Sequence, residues 1–115
     1  MKYINKQNKY YNKKVEYDGI LFDSKKEAKR YAELKLLERT GRIQNLKRQV
    51  PFTLIPKICD QNGKCLQRAC KYYADFVYTY NNKLVVEDTK GVRTAEYKIK
   101  KKLMLYQHNI IIKEI

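Results

Sequence analysis

Alternation and helical spacing divide the chain into segments. Residues 14–22, KVEYDGILF, alternate around Asp18-Gly19, a pair suited to the left-handed torsions of a tight turn, and predict a short hairpin. Ser24-Lys25-Lys26-Glu27 has the spacing of a capping box and opens a helix that runs to about Arg39, with Gly41 as its stop. Ala28, Tyr31, Ala32 and Leu36 recur at helical spacing and are expected in the core, flanked by Leu34 and Leu37. Residues 49–58, QVPFTLIPKI, read as an edge or irregular strand, because Pro51 and Pro56 cannot donate to a ladder. Asn62-Gly63 marks a turn, after which Leu66 to Tyr80, rich in Tyr, Val and Phe, runs back as a strand. A second turn at Asn81-Asn82-Lys83 leads into Leu84 to Lys90, LVVEDTK, whose apolar start marks a central strand, and Gly91 ends it. Thr94 is placed to cap a helix over 94–106, with Ala95, Ile99, Leu103 and Tyr106 on one face and Tyr97 and Lys101 on another. Ile110 to Ile115 is a β-branched run that predicts a closing strand.

The order hairpin, helix, three strands, helix, strand implies a mixed central sheet flanked by two helices, of α/β or α+β class. The last crossover passes through a helix, which suits a parallel pairing. Residues 15–115 are read as one domain. The first fourteen residues, MKYINKQNKYYNKK, carry five Lys, no acid and no apolar period, and are read as a flexible basic arm.

The 115 residues hold 26 Lys and Arg against 12 Asp and Glu, a formal net charge of +14. Such an excess destabilises a compact fold through self-repulsion and is most readily understood if a polyanion neutralises it, with nucleic acid the first candidate. The 11 Tyr could stack bases or pack in the sheet. Lys98, Lys101, Lys102, Arg93 and Tyr97 around the second helix, and Lys13 and Lys14 in the arm, are the candidate phosphate and base contacts. No apolar run approaches the ~18 residues of a membrane span, and no apolar segment follows the basic start, so neither a membrane protein nor a secreted one is expected. Three cysteines, Cys59, Cys65 and Cys70, fit reduced thiols in a cytoplasm-like compartment, and their spacing with the single His108 suits no zinc motif.

The chemistry concentrates in the two middle strands. Asp75 precedes the Asn81-Asn82 turn by about as many residues as Asp88 follows it, so the two carboxylates come to neighbouring ladder positions. Period two puts Asp88 and Lys90 on one face and Glu87 and Thr89 on the other, and a bulge would exchange those faces. Two carboxylates on one patch repel, and a divalent cation between them removes the penalty.

This arrangement resembles the PD-(D/E)XK nuclease superfamily, in which an Asp closes one strand and a (D/E)-x-K triplet follows on the next. Asp75 matches the first position, after Ala74 where the family often has Pro, and Asp88-Thr89-Lys90 matches the triplet. Within the superfamily, the FDSKKE opening and the ADF…VVED-x-KG pattern are similar to those of small bacteriophage proteins. The resemblance implies a restriction-endonuclease-like αβββαβ core behind an N-terminal hairpin. It implies Mg²⁺ or Mn²⁺ held by Asp75 and Asp88, with Glu27 as a further acid of the metal shell or only a helix cap, and Lys90 orienting the attacking water. DNA is the implied partner, with no small-molecule cofactor, in the cytoplasm of a bacterial host. The expected activity is phosphodiester hydrolysis, with branched DNA an attractive substrate. A junction resolvase would need two active sites and hence a homodimer. A non-catalytic nucleic-acid-binding protein, or a phage regulatory interaction module on the same fold, is the alternative.

Overall fold

A computed structural model describes residues 2–7, 13–89 and 93–115. The chain forms two compact units, residues 1–46 and 47–115, where the sequence pattern had suggested one domain over 15–115.

In the first unit, β1 (Lys2–Gln7), β2 (Lys13–Tyr17) and β3 (Ile20–Phe22) form an antiparallel sheet in that order. Residues 2–7, expected within a flexible arm, therefore make a strand paired with β2. An edge strand needs a ladder on one side only, so a polar segment without apolar periodicity can still pair. The β2–β3 turn is Asp18-Gly19, both at positive φ (55° and 74°), as expected of that dipeptide. Helix α1 (Lys25–Arg39) starts where Ser24 accepts the Glu27 backbone N–H at 3.1 Å. It ends in a Schellman motif: Gly41 N–H donates to Glu38 O at 3.0 Å and Arg42 N–H to Leu37 O at 2.9 Å, with Gly41 at φ 81°. The buried face of α1 carries Glu27, Ala28, Tyr31 and Leu34. Leu36, expected inside, is 58% exposed, and Leu34 takes the inward position. The ring of Tyr31 meets Phe22 and Tyr17 at centroid distances of 5.2 and 6.2 Å.

In the second unit the sheet order is β4 (Gln44–Ile55), β7 (Cys70–Tyr80), β8 (Lys83–Asp88), β9 (Lys113–Glu114). The proline-bearing β4 lies at the edge and β8 in the interior, both as expected. β7 and β8 are antiparallel, and β8 and β9 are parallel, joined through α2 (Ala95–His108). β5 (Ile58–Cys59) and β6 (Cys65–Gln67) form a separate two-stranded ribbon rather than continuing β4 and β7. The closing β-branched run pairs only through Lys113 and Glu114, though Ile112 is buried beside them. The core gathers Leu54, Tyr72, Ala74, Val77, Val86, Tyr97, Met104 and Ile112.

The inward stripe of α2 departs from the sequence reading. Ile99 and Tyr106 are 59% and 85% exposed, whereas Tyr97 and Met104 are buried. Tyr97, Lys101, Met104 and His108 follow one another at helical spacing. Along that row the half-buried Lys101 reaches Glu114 at 2.8 Å, and the exposed His108 Nε2–H donates to Thr53 O at 2.7 Å. Long amphipathic side chains can lie inward when their heads are satisfied, and apolar periodicity does not register them. No helix among the described residues is long and apolar enough to cross a membrane.

Candidate metal and nucleic-acid site

The β7–β8 hairpin sets the geometry. Asn81 and Asn82 both adopt positive φ, 49° and 63°, the torsions of a type I′ turn. They fix the register Tyr80↔Lys83 through Phe76↔Glu87. Directly opposed residues share a face of the sheet. Phe76, Tyr78, Val85 and Glu87 thus lie on one side, and Val77, Val86 and Asp88 on the other. The second side is the one α2 covers, since Val77 and Val86 join Tyr97 and Met104 in the core.

Tyr72 and Ala74 belong to that same core cluster, although strict alternation from Val77 would put them on the opposite side. The Tyr72 hydroxyl also donates to Asp88. The alternation of β7 therefore slips by one residue between Ala74 and Val77, just where the paired ladder ends. Asp75 lies within that stretch, one residue beyond the last ladder pair, Phe76↔Glu87. Its carboxylate accepts the Thr89 backbone N–H and the Thr89 hydroxyl, both at 2.9 Å, and Gln49 Nε2–H at 3.1 Å. Gln49 reaches it from a left-handed backbone, φ 50°, uncommon for a non-glycine residue. Period two pairs Asp75 with Asp88. Asp88 lies on the side of Val86, towards α2.

Glu87 and Asp88 are both wholly buried. Adjacent carboxylates without water are costly unless hydrogen-bonded or offset by positive charge. Each receives a phenol: Tyr78 O–H donates to Glu87, and Tyr72 O–H donates to Asp88. Burial, and then the hydrogen bond and negative charge of Asp88, push the Tyr72 phenol far above its ordinary range, with smaller contributions from Tyr97 and Asp75. Tyr72 thus stays a donor at every physiological pH, and both aspartates lie within electrostatic reach of it.

The other candidates divide. Glu27 is buried in the first turn of α1, in the first unit, and its backbone N–H is capped by Ser24. Lys90 lies outside the described residues. Tyr97, a candidate base contact, is a core residue whose phenol is pushed up by burial and then by Glu114. Arg93 and Lys101, candidate phosphate contacts, both bind Glu114 at 2.8 Å, because β9 brings that acid beside α2. The Lys101 and then the Arg93 hydrogen bond hold the Glu114 carboxyl at about 2. Lys98 and Lys102 are exposed on α2. Lys14 makes a 3.5 Å ion pair with Asp23, and the Lys13 side chain lies outside the described residues. Tyr72, Tyr78, Thr89 and Gln49, which hold the acids, were not singled out as site residues by sequence. The alternation of buried tyrosines in β7 is the one signal that could have found the first two.

Among the described residues no three His, Cys, Asp or Glu side chains converge on one point. Asp75, Glu87 and Asp88 offer hard oxygen donors only, and Mg²⁺ is commonly held by one or two carboxylates together with water and substrate phosphate. The donor chemistry fits such an ion. No curated protein and no solved structure matches the chain. A family model described as a protein of unknown function, DUF1064, matches residues 7–114, and the chain belongs to that family.

Proposed function

We propose that the protein is a metal-dependent DNA endonuclease. One observation carries the reading: Asp75 of β7 and the adjacent, wholly buried Glu87 and Asp88 of β8 lie where the β7–β8 ladder ends, in a chain of net charge +14. Acids repel phosphate, so a protein that only binds nucleic acid gains nothing by concentrating them there.

Asp75 and Asp88 would hold Mg²⁺ or Mn²⁺ through carboxylate oxygens, with Glu87 the competing acid of β8. When bound, the ion supplies Lewis acidity towards the scissile phosphate and a water of lowered pKa. Thr89 and Gln49 fix the orientation of Asp75, and Tyr78 fixes that of Glu87. Lys90 is assigned to orient the attacking water and offset charge developing on the phosphate. Lys98 and Lys102 are free of the Glu114 pairing that engages Arg93 and Lys101, and are the better candidates to hold flanking phosphates. Branched DNA is the proposed substrate, with cleavage by a homodimer if the substrate is a four-way junction.

One observation favours a second reading, a non-catalytic nucleic-acid-binding protein on this fold. Asp75, Glu87 and Asp88 each already hold a hydrogen-bond donor from the protein itself. Labelled junction, flap, linear and single-stranded DNA, each incubated with and without Mg²⁺, separates the two. The endonuclease reading expects Mg²⁺-dependent cleavage that Asp75→Asn and Lys90→Ala abolish while binding persists. Binding with no cleavage of any substrate in Mg²⁺ or Mn²⁺ favours the second.

A further inference from the structure

The β5–β6 ribbon makes its own two-stranded sheet, and every residue from 55 to 68 is exposed except the half-buried Asp60. A hairpin with no buried face is marginal by itself, so its apolar residues are not there to build a core. Ile58 and Leu66 are 47% and 55% exposed, the latter where the pairing register slips. The tip is nonetheless well constructed. The Asp60 carboxylate accepts the backbone N–H groups of Asn62 and Lys64, both at 2.9 Å, and Asp60 N–H donates to Lys64 O at 2.9 Å. The one acid of the ribbon thus serves its own turn. Lys57, Lys64 and Arg68 remain, and the ion pairs among the described residues are formed by other cations.

We propose that this ribbon is a nucleic-acid-binding element that enters a groove of duplex DNA. The inference rests on the nucleic-acid part of the function proposed above and adds the contact. A two-stranded ribbon fits the major groove, about 12 Å wide. Lys57, Lys64 and Arg68 take backbone phosphates, and Ile58 and Leu66 lie against base edges or wedge an opened step. Charge complementarity selects the duplex: an excess of cations surrounds exposed apolar side chains in a chain already strongly basic.

The test measures duplex binding by the full chain in EDTA, across a salt series. The triple variant Lys57→Ala, Lys64→Ala, Arg68→Ala is expected to bind at least tenfold more weakly at moderate salt. Its log–log salt slope should be shallower by about 2 to 3, at about 0.9 per lost phosphate contact. The pair Ile58→Ser, Leu66→Ser should weaken binding without changing the slope. Acetylation of the unsubstituted chain, read by mass spectrometry, should fall at Lys57 and Lys64 when duplex is added, a readout that needs no variant to fold. Parent-like affinity and slope, or unchanged acetylation, overturns the proposal, as does lost binding to phosphatidylserine vesicles with duplex binding intact. The assay contains no divalent ion, so cleavage failing elsewhere leaves this result standing, and cleavage by a ribbon variant with parent binding refutes the ribbon alone.

Discussion

Two tyrosine hydroxyls keep the acids at the end of β8 tolerable, and a third acid beside them has only polar partners. Replacing Tyr72 with Phe removes the donor to Asp88 and should cost about 1–3 kcal/mol, measured as a shift in the urea midpoint at neutral pH. Glu87→Gln tests why the acid is there. An amide oxygen can still accept the Tyr78 hydroxyl and carries no charge into the interior, so the melting temperature should equal or exceed the parent's, and the loss of Mg²⁺-dependent cleavage measures how far Glu87 competes for the ion. A large loss of stability with unchanged cleavage would make Glu87 a structural residue. Asp88→Asn, on the α2 side of the pleat, should lose at least a hundredfold in Mg²⁺-dependent cleavage and more than Glu87→Gln, and the reverse order would make Glu87 the acid of the site. Glu114 makes a pH prediction. Lys101 and Arg93 lower its folded pKa to about 2, against an ordinary carboxylate value near 4.5. Its contribution is therefore complete above about pH 4.5 and is lost as pH falls from there towards 2. Parent stability should decline through that window more steeply than that of Glu114→Gln, which is already without the pair at pH 7.

Element by element, the accuracy of the sequence reading follows the type of signal available. Turns and caps were legible because they depend on a few residues with specific torsions or donors: Asp18-Gly19, Ser24, Gly41, Asn81-Asn82 and Thr94 all do what their types require. The inward face of α2 was not legible, because it is built on Tyr97 and Met104 with the half-buried Lys101 tied to Glu114, whereas Ile99 and Tyr106, which share an equally regular helical spacing, face solvent. The difference is measurable. Met104→Ala should cost about 2–5 kcal/mol, and Ile99→Ser should stay within about 0.5 kcal/mol of the parent. The candidate site was legible in part. Asp75, Glu87 and Asp88 were found by type and spacing, but the Tyr72 hydroxyl that serves Asp88 comes from a position where β7 departs from strict alternation, which no periodicity encodes. The ribbon offers a check on register. Cys59 and Cys65 are opposed across β5 and β6 and both exposed, so mild treatment with a disulfide oxidant should join them and leave Cys70 as a thiol. Joining of Cys70 to either one instead would show a different register.

At the scale of the whole molecule, a net charge of +14 on 115 residues couples stability to ionic surroundings. Ion pairs such as Lys14–Asp23 and Arg30–Glu33 join residues of opposite charge, but 26 cations against 12 acids leave an excess of 14 positive charges repelling one another through solvent. Exposed pairs of that kind contribute about 0–1 kcal/mol each, too little to offset the repulsion. Salt screens both, but repulsion acts over a longer range, so it is relieved first as the Debye length shortens from about 30 Å at 0.01 M to about 8 Å at 0.15 M. The melting temperature should therefore rise between those concentrations, where a protein held together by surface pairs would show a fall. A short DNA duplex in low salt should raise it further, because a ligand that binds only the folded chain stabilises it by about 2.7 kcal/mol at a hundred times its dissociation constant. That second increase should vanish as salt reaches a few tenths molar, since the cations that repel one another are the ones that would bind phosphate. If the melting temperature falls with salt and ignores the duplex, the positive charge serves some purpose other than gripping a polyanion.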